Sequence, residues 1–182
     1  FEDTVFMIAG DYVLGLSRNN GGQRARITVG EQSVFAPAVA ANTVTVVTEQ
    51  GFVRTFTKQG KSIHPPVDLQ SVAVNAPTIV GGKIVVNTSN GSMQMIEPAD
   101  GSILWNYILR PATKPVADAN GKTPPNLMTA AYPVKLIGDT LLLSGRDGQI
   151  LAFDGNTGVD LTAPEVKFVF PANGFEMSGR TN

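Results

Sequence analysis

Three two-residue turn signals crowded into one short stretch constrain this chain more than any other feature. They are Gly81-Gly82, Asn90-Gly91 and Asp100-Gly101. Such pairs favour type I′ turns, whose two central residues both need positive φ, a conformation that Gly and Asn tolerate. The segments between them, residues 77–80, 83–88, 92–97 and 102–107, are too short for helices, and β-branched residues dominate the second. Met93 and Met95 fall on one face of the third segment; Ile103, Trp105 and Tyr107 fall on one face of the fourth. Four strands joined by tight turns predict an antiparallel meander.

A lone meander leaves two open edges and an uncovered apolar face. Further copies would cover it, and the chain contains them. Ala36-Pro37 recurs as Ala76-Pro77 and as Tyr132-Pro133. The second turn appears as Gln50-Gly51, Asn90-Gly91 and Asp147-Gly148, and the third as Gln59-Gly60, Asp100-Gly101 and Thr157-Gly158. The second-turn glycines are 40 and then 57 residues apart. A spacing of roughly 40–45 residues is that of a β-propeller repeat, and the longer step holds an insertion. A looser copy, without its first strand, lies at residues 4–29. The expected fold is therefore all-β: a propeller of four-stranded antiparallel blades at about 1–29, 30–69, 70–109 and 132–170, forming a single propeller domain or half-propeller.

The motif of Ala-Pro, a turn glycine, a short apolar strand, a second glycine turn and a third turn leading to Trp resembles the PQQ-like propeller repeat. It is strongest over residues 77–105 and 133–158. Within that family it is most similar to the BamB type, the propeller lipoprotein of the bacterial outer-membrane protein assembly machine. The resemblance implies a seven- or eight-bladed ring, of which about four blades are present here. It also implies that Trp105 packs between blades, and that the turn glycines Gly91, Gly101, Gly148 and Gly158 are structural.

Net charge is −1, so a basic surface for nucleic acid is not indicated. Cysteine is absent, which excludes disulfides and thiolate metal sites. It also excludes the adjacent cysteine pair that the resemblance would imply in a quinoprotein dehydrogenase. No run reaches the length of a transmembrane helix. The first residue is Phe, so the sequence reads as processed, truncated or the ordered part of something longer, and an upstream lipid anchor would not be visible.

The side chains that could carry chemistry read as structural. Arg18, Arg24 and Arg26 suit a solvated face. Met93 and Met95, two apart on a strand, suit a core. Asp100, Asp147 and Asp154 sit at or beside turns, where a carboxylate bonds local backbone N–H groups. His64, the sole histidine, lies beside Pro65-Pro66 and is expected at a surface or edge, with Ile63 at the position that Trp105 takes in the next blade. No metal, catalytic or cofactor site is expected.

The largest departure from the repeat is the segment 110–131, with four prolines and mixed charge. A long loop without periodicity in a compact domain is often functional. Arg110, Lys114, Asp118, Lys122, Leu127 and Met128 are its candidate partner-binding residues. The expected function is a non-enzymatic scaffold of the bacterial cell envelope, periplasmic or outer-membrane associated. Its partners would be other envelope proteins, in particular a membrane-protein assembly complex. The alternative is a fragment of a PQQ-dependent quinoprotein dehydrogenase whose catalytic residues lie outside this chain.

Overall fold

The computed structural model describes residues 3–33, 35–109, 134–145 and 150–161. Among these there is no helix, and every regular element is a strand. The first sheet contains β1 (Thr4–Ala9), β2 (Tyr12–Ser17) and β3 (Gln23–Thr28). The second contains β4 (Ala38–Val39), β5 (Thr43–Val47), β6 (Phe52–Thr57) and β7 (Val67–Asp68). The third contains β8 (Thr78–Val80), β9 (Lys83–Asn87), β10 (Ser92–Ile96) and β11 (Ile103–Ile108). The fourth contains β12 (Lys135–Ile137), β13 (Thr140–Ser144) and β14 (Ile150–Asp154). Each sheet pairs in chain order and is antiparallel throughout.

The repeat is written into the backbone hydrogen bonds as well as the turns. The N–H of Val29 donates to the carbonyl of Asp11, that of Leu69 to Gly51 and that of Leu109 to Gly91, at 2.9, 3.0 and 2.7 Å. Donors and acceptors alike are 40 residues apart. The first sheet therefore holds the second, third and fourth strands of a blade, with the innermost missing.

Three separate apolar cores lie between successive sheets. Val13, Ile27, Val44, Val46 and Phe56 fill the first. Val47, Val53, Leu69, Ile84, Val86 and Ile96 fill the second. Val85, Met93, Met95, Leu141, Leu143 and Phe153 are among those filling the third, so the two methionines pack as core residues. A sheet buried on both faces needs apolar residues on both, which is why β9 and β10 are buried without alternation.

The turns differ from the type I′ expectation in an instructive way. Only Gly81-Gly82 has positive φ at both residues, 53° and 80°. At Asn90-Gly91 and Asp100-Gly101 the glycine alone is left-handed. These loops are longer than two residues: Gly91 N–H donates to the Thr88 carbonyl and Gly101 N–H to the Glu97 carbonyl. A right-handed turn closed by a left-handed glycine joins the strands instead. The outer edge of the second sheet is also broken. Ser62 bridges Phe56, the chain leaves the ladder at His64-Pro65-Pro66, and β7 resumes at Val67. Proline has no N–H to give a ladder.

Candidate functional site

The junctions between sheets carry the repeat's distinctive side chains. Each third-turn glycine lies against the last strand of the preceding sheet. A Cβ on Gly158 would stand 2.6 Å from Cδ2 of Trp105, and one on Gly101 would stand 2.7 Å from Nδ1 of His64. One on Gly60 would meet Ile27 at an ordinary 3.6 Å. Trp105 follows Gly101 by four residues and His64 follows Gly60 by four. His64, not Ile63, therefore occupies the Trp105 position. It is only 8% exposed, contrary to the surface or edge placement expected from its proline neighbours. Its Nδ1 lies 2.7 Å from the Pro65 carbonyl. The fixed offset from the turn glycine would have revealed this role; matching by hydrophobicity pointed to Ile63.

The turn carboxylates are engaged with backbone. Asp154 Oδ1 accepts from the N–H groups of Thr157 (2.7 Å) and Asn156 (3.0 Å) and from the Thr157 hydroxyl (2.8 Å). These bonds hold its pKa below the usual 3.8, the Thr157 N–H foremost. Asp100 is lowered in the same way, first by the Ser102 N–H (2.9 Å), then by the Ser102 side chain, with a smaller contribution from His64. Glu31 is desolvated, which pushes its pKa up, but hydrogen bonds from Arg54 and Thr48 and the Arg54 charge outweigh this and leave it lowered. Each shift stabilises a charged form that the fold uses locally.

A small cleft of about 120 Å³ opens between the third and fourth sheets. Met95, Leu104 and Leu136 supply apolar wall, with Lys83 and Asp139 at its polar side. Lys83 is ion-paired with Glu97. Across the same junction Tyr107 meets Phe153 edge-on at 4.8 Å between centroids, and its hydroxyl donates to Asp160 at 2.8 Å. Among the described residues no group of three His, Asp or Glu side chains could hold a metal.

Trp105 and Gly158 are thus brought together across the third junction, while Gly101 meets His64 across the second. Gly91 serves through its carbonyl, which anchors Leu109. Gly148 and the segment bearing Arg110, Lys114, Asp118, Lys122, Leu127 and Met128 lie outside the described residues.

Antiparallel sheets repeated at 40 residues, with apolar cores between successive sheets and an aromatic-on-glycine contact at the third junction, define a β-propeller built of PQQ-like repeats. The family model described as outer membrane protein assembly factor BamB matches residues 9–168, and the chain belongs to that family.

Solved structures agree on the fold. BamB from Moraxella catarrhalis is similar at 19% identity and a TM-score of 0.69, over 89% of this chain and 46% of that one. The chain thus spans about half the length of that relative. A quinohemoprotein alcohol dehydrogenase, ADHIIG from Pseudomonas putida HK5, is similar at 15% identity and a TM-score of 0.69, over 88% of this chain and 32% of that one. The computationally designed Ika4 protein is similar at 13% identity and a TM-score of 0.62, over 84% and 85%. No curated protein sequence matches the chain significantly.

Proposed function

We propose that the chain is a non-catalytic, protein-binding propeller of the bacterial cell envelope, periplasmic or outer-membrane associated, acting within a multiprotein assembly. The observation that carries this reading is the family match over residues 9–168. The use of ionisable groups supports it. Asp100 and Asp154 cap turns, Glu31 holds Arg54, Glu97 holds Lys83, and His64 is buried between sheets. Chemistry that moves protons needs such groups poised in a cleft, and of the two at the cleft between the third and fourth sheets Lys83 is held by Glu97.

Binding specificity is assigned to what departs from the repeat, because the repeat residues are committed to packing. The segment 110–131 is that departure, and Arg110, Lys114, Asp118, Lys122, Leu127 and Met128 are its contact residues in this proposal. Its prolines lower the entropy lost when it is ordered by a partner. The test replaces residues 111–129 by a short glycine turn in a tagged chain used to capture envelope proteins. Loss of capture with an unchanged circular dichroism spectrum is expected; unchanged capture would move the site elsewhere. The competing reading, part of a quinoprotein dehydrogenase, predicts a higher melting temperature with PQQ and calcium. A ligand at 100 times its Kd adds about 2.7 kcal/mol. No shift is expected here.

A further inference from the structure

At the cleft between the third and fourth sheets the chain departs from its own repeat in charge. Lys83 lines the cleft and pairs with Glu97. Forty residues earlier, in the second sheet, the same two positions are Thr43 and Thr57, partners across the ladder. In the fourth sheet the position of Lys83, just after the first turn, is held by Thr140. Threonine therefore meets the needs of the fold at this position, and the stacking of sheets does not call for a lysine.

Asp139 is a second departure. It is the second residue of the turn between β12 and β13, where the third sheet has Gly82. Asp100 and Asp154 accept bonds from backbone N–H groups of their own turns. Among the described residues no hydrogen bond or ion pair engages the Asp139 carboxylate, which is exposed at the rim of the cleft. Glu97 neutralises Lys83, so the cleft is left with one uncompensated negative charge. Its walls are apolar. Met95 is 1% exposed, and Leu104 and Leu136, from the third and fourth sheets, are 46% and 42% exposed.

The volume decides the kind of occupant. Small-molecule and cofactor sites enclose roughly 300–1,000 Å³, whereas this cleft holds about 120 Å³. That is near the roughly 150 Å³ that accepts one benzene ring, and it suits a single side chain.

We propose that the cleft receives an arginine side chain from a partner protein, with the stem along Met95, Leu104 and Leu136 and the guanidinium on the Asp139 carboxylate. Charge complementarity selects this occupant. An acidic side chain would meet Asp139 with like charge, and a purely apolar one would desolvate the carboxylate without replacing its water. An arginine stem covers apolar surface while its head stays at the wet rim, and the planar fork matches a carboxylate. The proposal rests on the protein-binding reading above and names a separate contact. The cleft lies at the Lys83 end of the third sheet, whereas β11 ends at Ile108, opposite Ser92, at the other end.

Methyl NMR on the 182-residue chain with methyl-labelled methionine tests this. The probe is Nα-acetyl-arginine methylamide, set against its norleucine and glutamate counterparts. The Met95 resonance should shift saturably with the arginine probe, while Met7 on β1 stays still. Asp139→Asn should weaken that probe by about threefold to fivefold, the range for an exposed ion pair. Lys83→Met keeps an apolar stem, releases Glu97 and should tighten the probe, whereas mere damage to the cleft would weaken it. Absence of a saturable shift at Met95 overturns the proposal. So does equal binding of the norleucine or glutamate probe, or a Lys83→Met variant that binds no more tightly. The chain with residues 111–129 replaced should keep the Met95 response. Loss of capture in that chain, with no Met95 response in either, would sink the cleft and leave the protein-binding reading standing.

Discussion

The second and third junctions place different rings at one repeat position. At the third junction Trp105 lies over Gly158; at the second, His64 lies over Gly101. Both glycines are left-handed, with φ of 70° and 79°, and both would bring a Cβ within 3 Å of the ring. The requirement is therefore a flat ring against a bare Cα, and indole and imidazole both meet it. The first junction lacks the ring. Gly60 meets the edge of Ile27 at van der Waals distance, so only its φ of 93° calls for glycine there. The contact is graded along the molecule, from backbone geometry alone to geometry plus aromatic stacking.

Removal of the larger ring should produce the largest effect. Trp105→Ala is expected to lower stability by about 2–3 kcal/mol, read from urea denaturation, because truncating a large, partly buried ring removes its packing against the third core and Gly158. A loss near zero would mean that the indole is dispensable at this junction. Gly158→Ala comes next, at about 2–3 kcal/mol, combining left-handed strain with a clash against Trp105.

The comparison sharpens between the remaining two glycines. Gly101→Ala should cost about 2 kcal/mol and Gly60→Ala about 1, since the second suffers from backbone strain alone. Equal losses would show that the ring over Gly101 yields freely.

The smallest effect concerns acid. Asp100 and Asp154 have folded pKa values below the usual 3.8. A depressed carboxyl contributes stability above its unfolded pKa and loses that contribution as the pH falls through the folded value. The melting temperature should therefore decline on acidification below about 3.8. An Asp100→Asn, Asp154→Asn double variant should flatten that limb, and an unchanged slope would assign it to other carboxylates.

Much of the architecture was legible because turns are local. Gly51, Gly91, Gly101 and Gly158 mark places where the backbone itself demands a rare conformation, and the spacing survives whatever the side chains do. The methionines at 93 and 95 were readable as core for a similar reason, since strand alternation is fixed at two residues. Turn type was less legible. A Gly or Asn pair names a tight reversal, but loop length decides whether one residue or both are left-handed.

The role of His64 was hidden from a reading by hydrophobicity. Imidazole beside two prolines looks like an edge, and Ile63 looks like the core residue. The ring is buried because the next sheet lays Gly101 on it, a contact made 37 residues along the chain. The exposure of Val5 and Met7 has the same character. Their apolar identity is plain in the sequence, but that they are exposed while Val44 and Val46 of the second sheet are buried appears only once the sheets are stacked.

The strands, the turns and the 40-residue repeat follow from the order of residues alone, because they depend on φ, on side-chain period and on neighbours a few residues away. Which ring meets which glycine, and which apolar face another sheet covers, are fixed by the stacking of the sheets. Those outcomes depend on contacts between sheets, whose energies are set by surfaces that no local stretch of the chain contains.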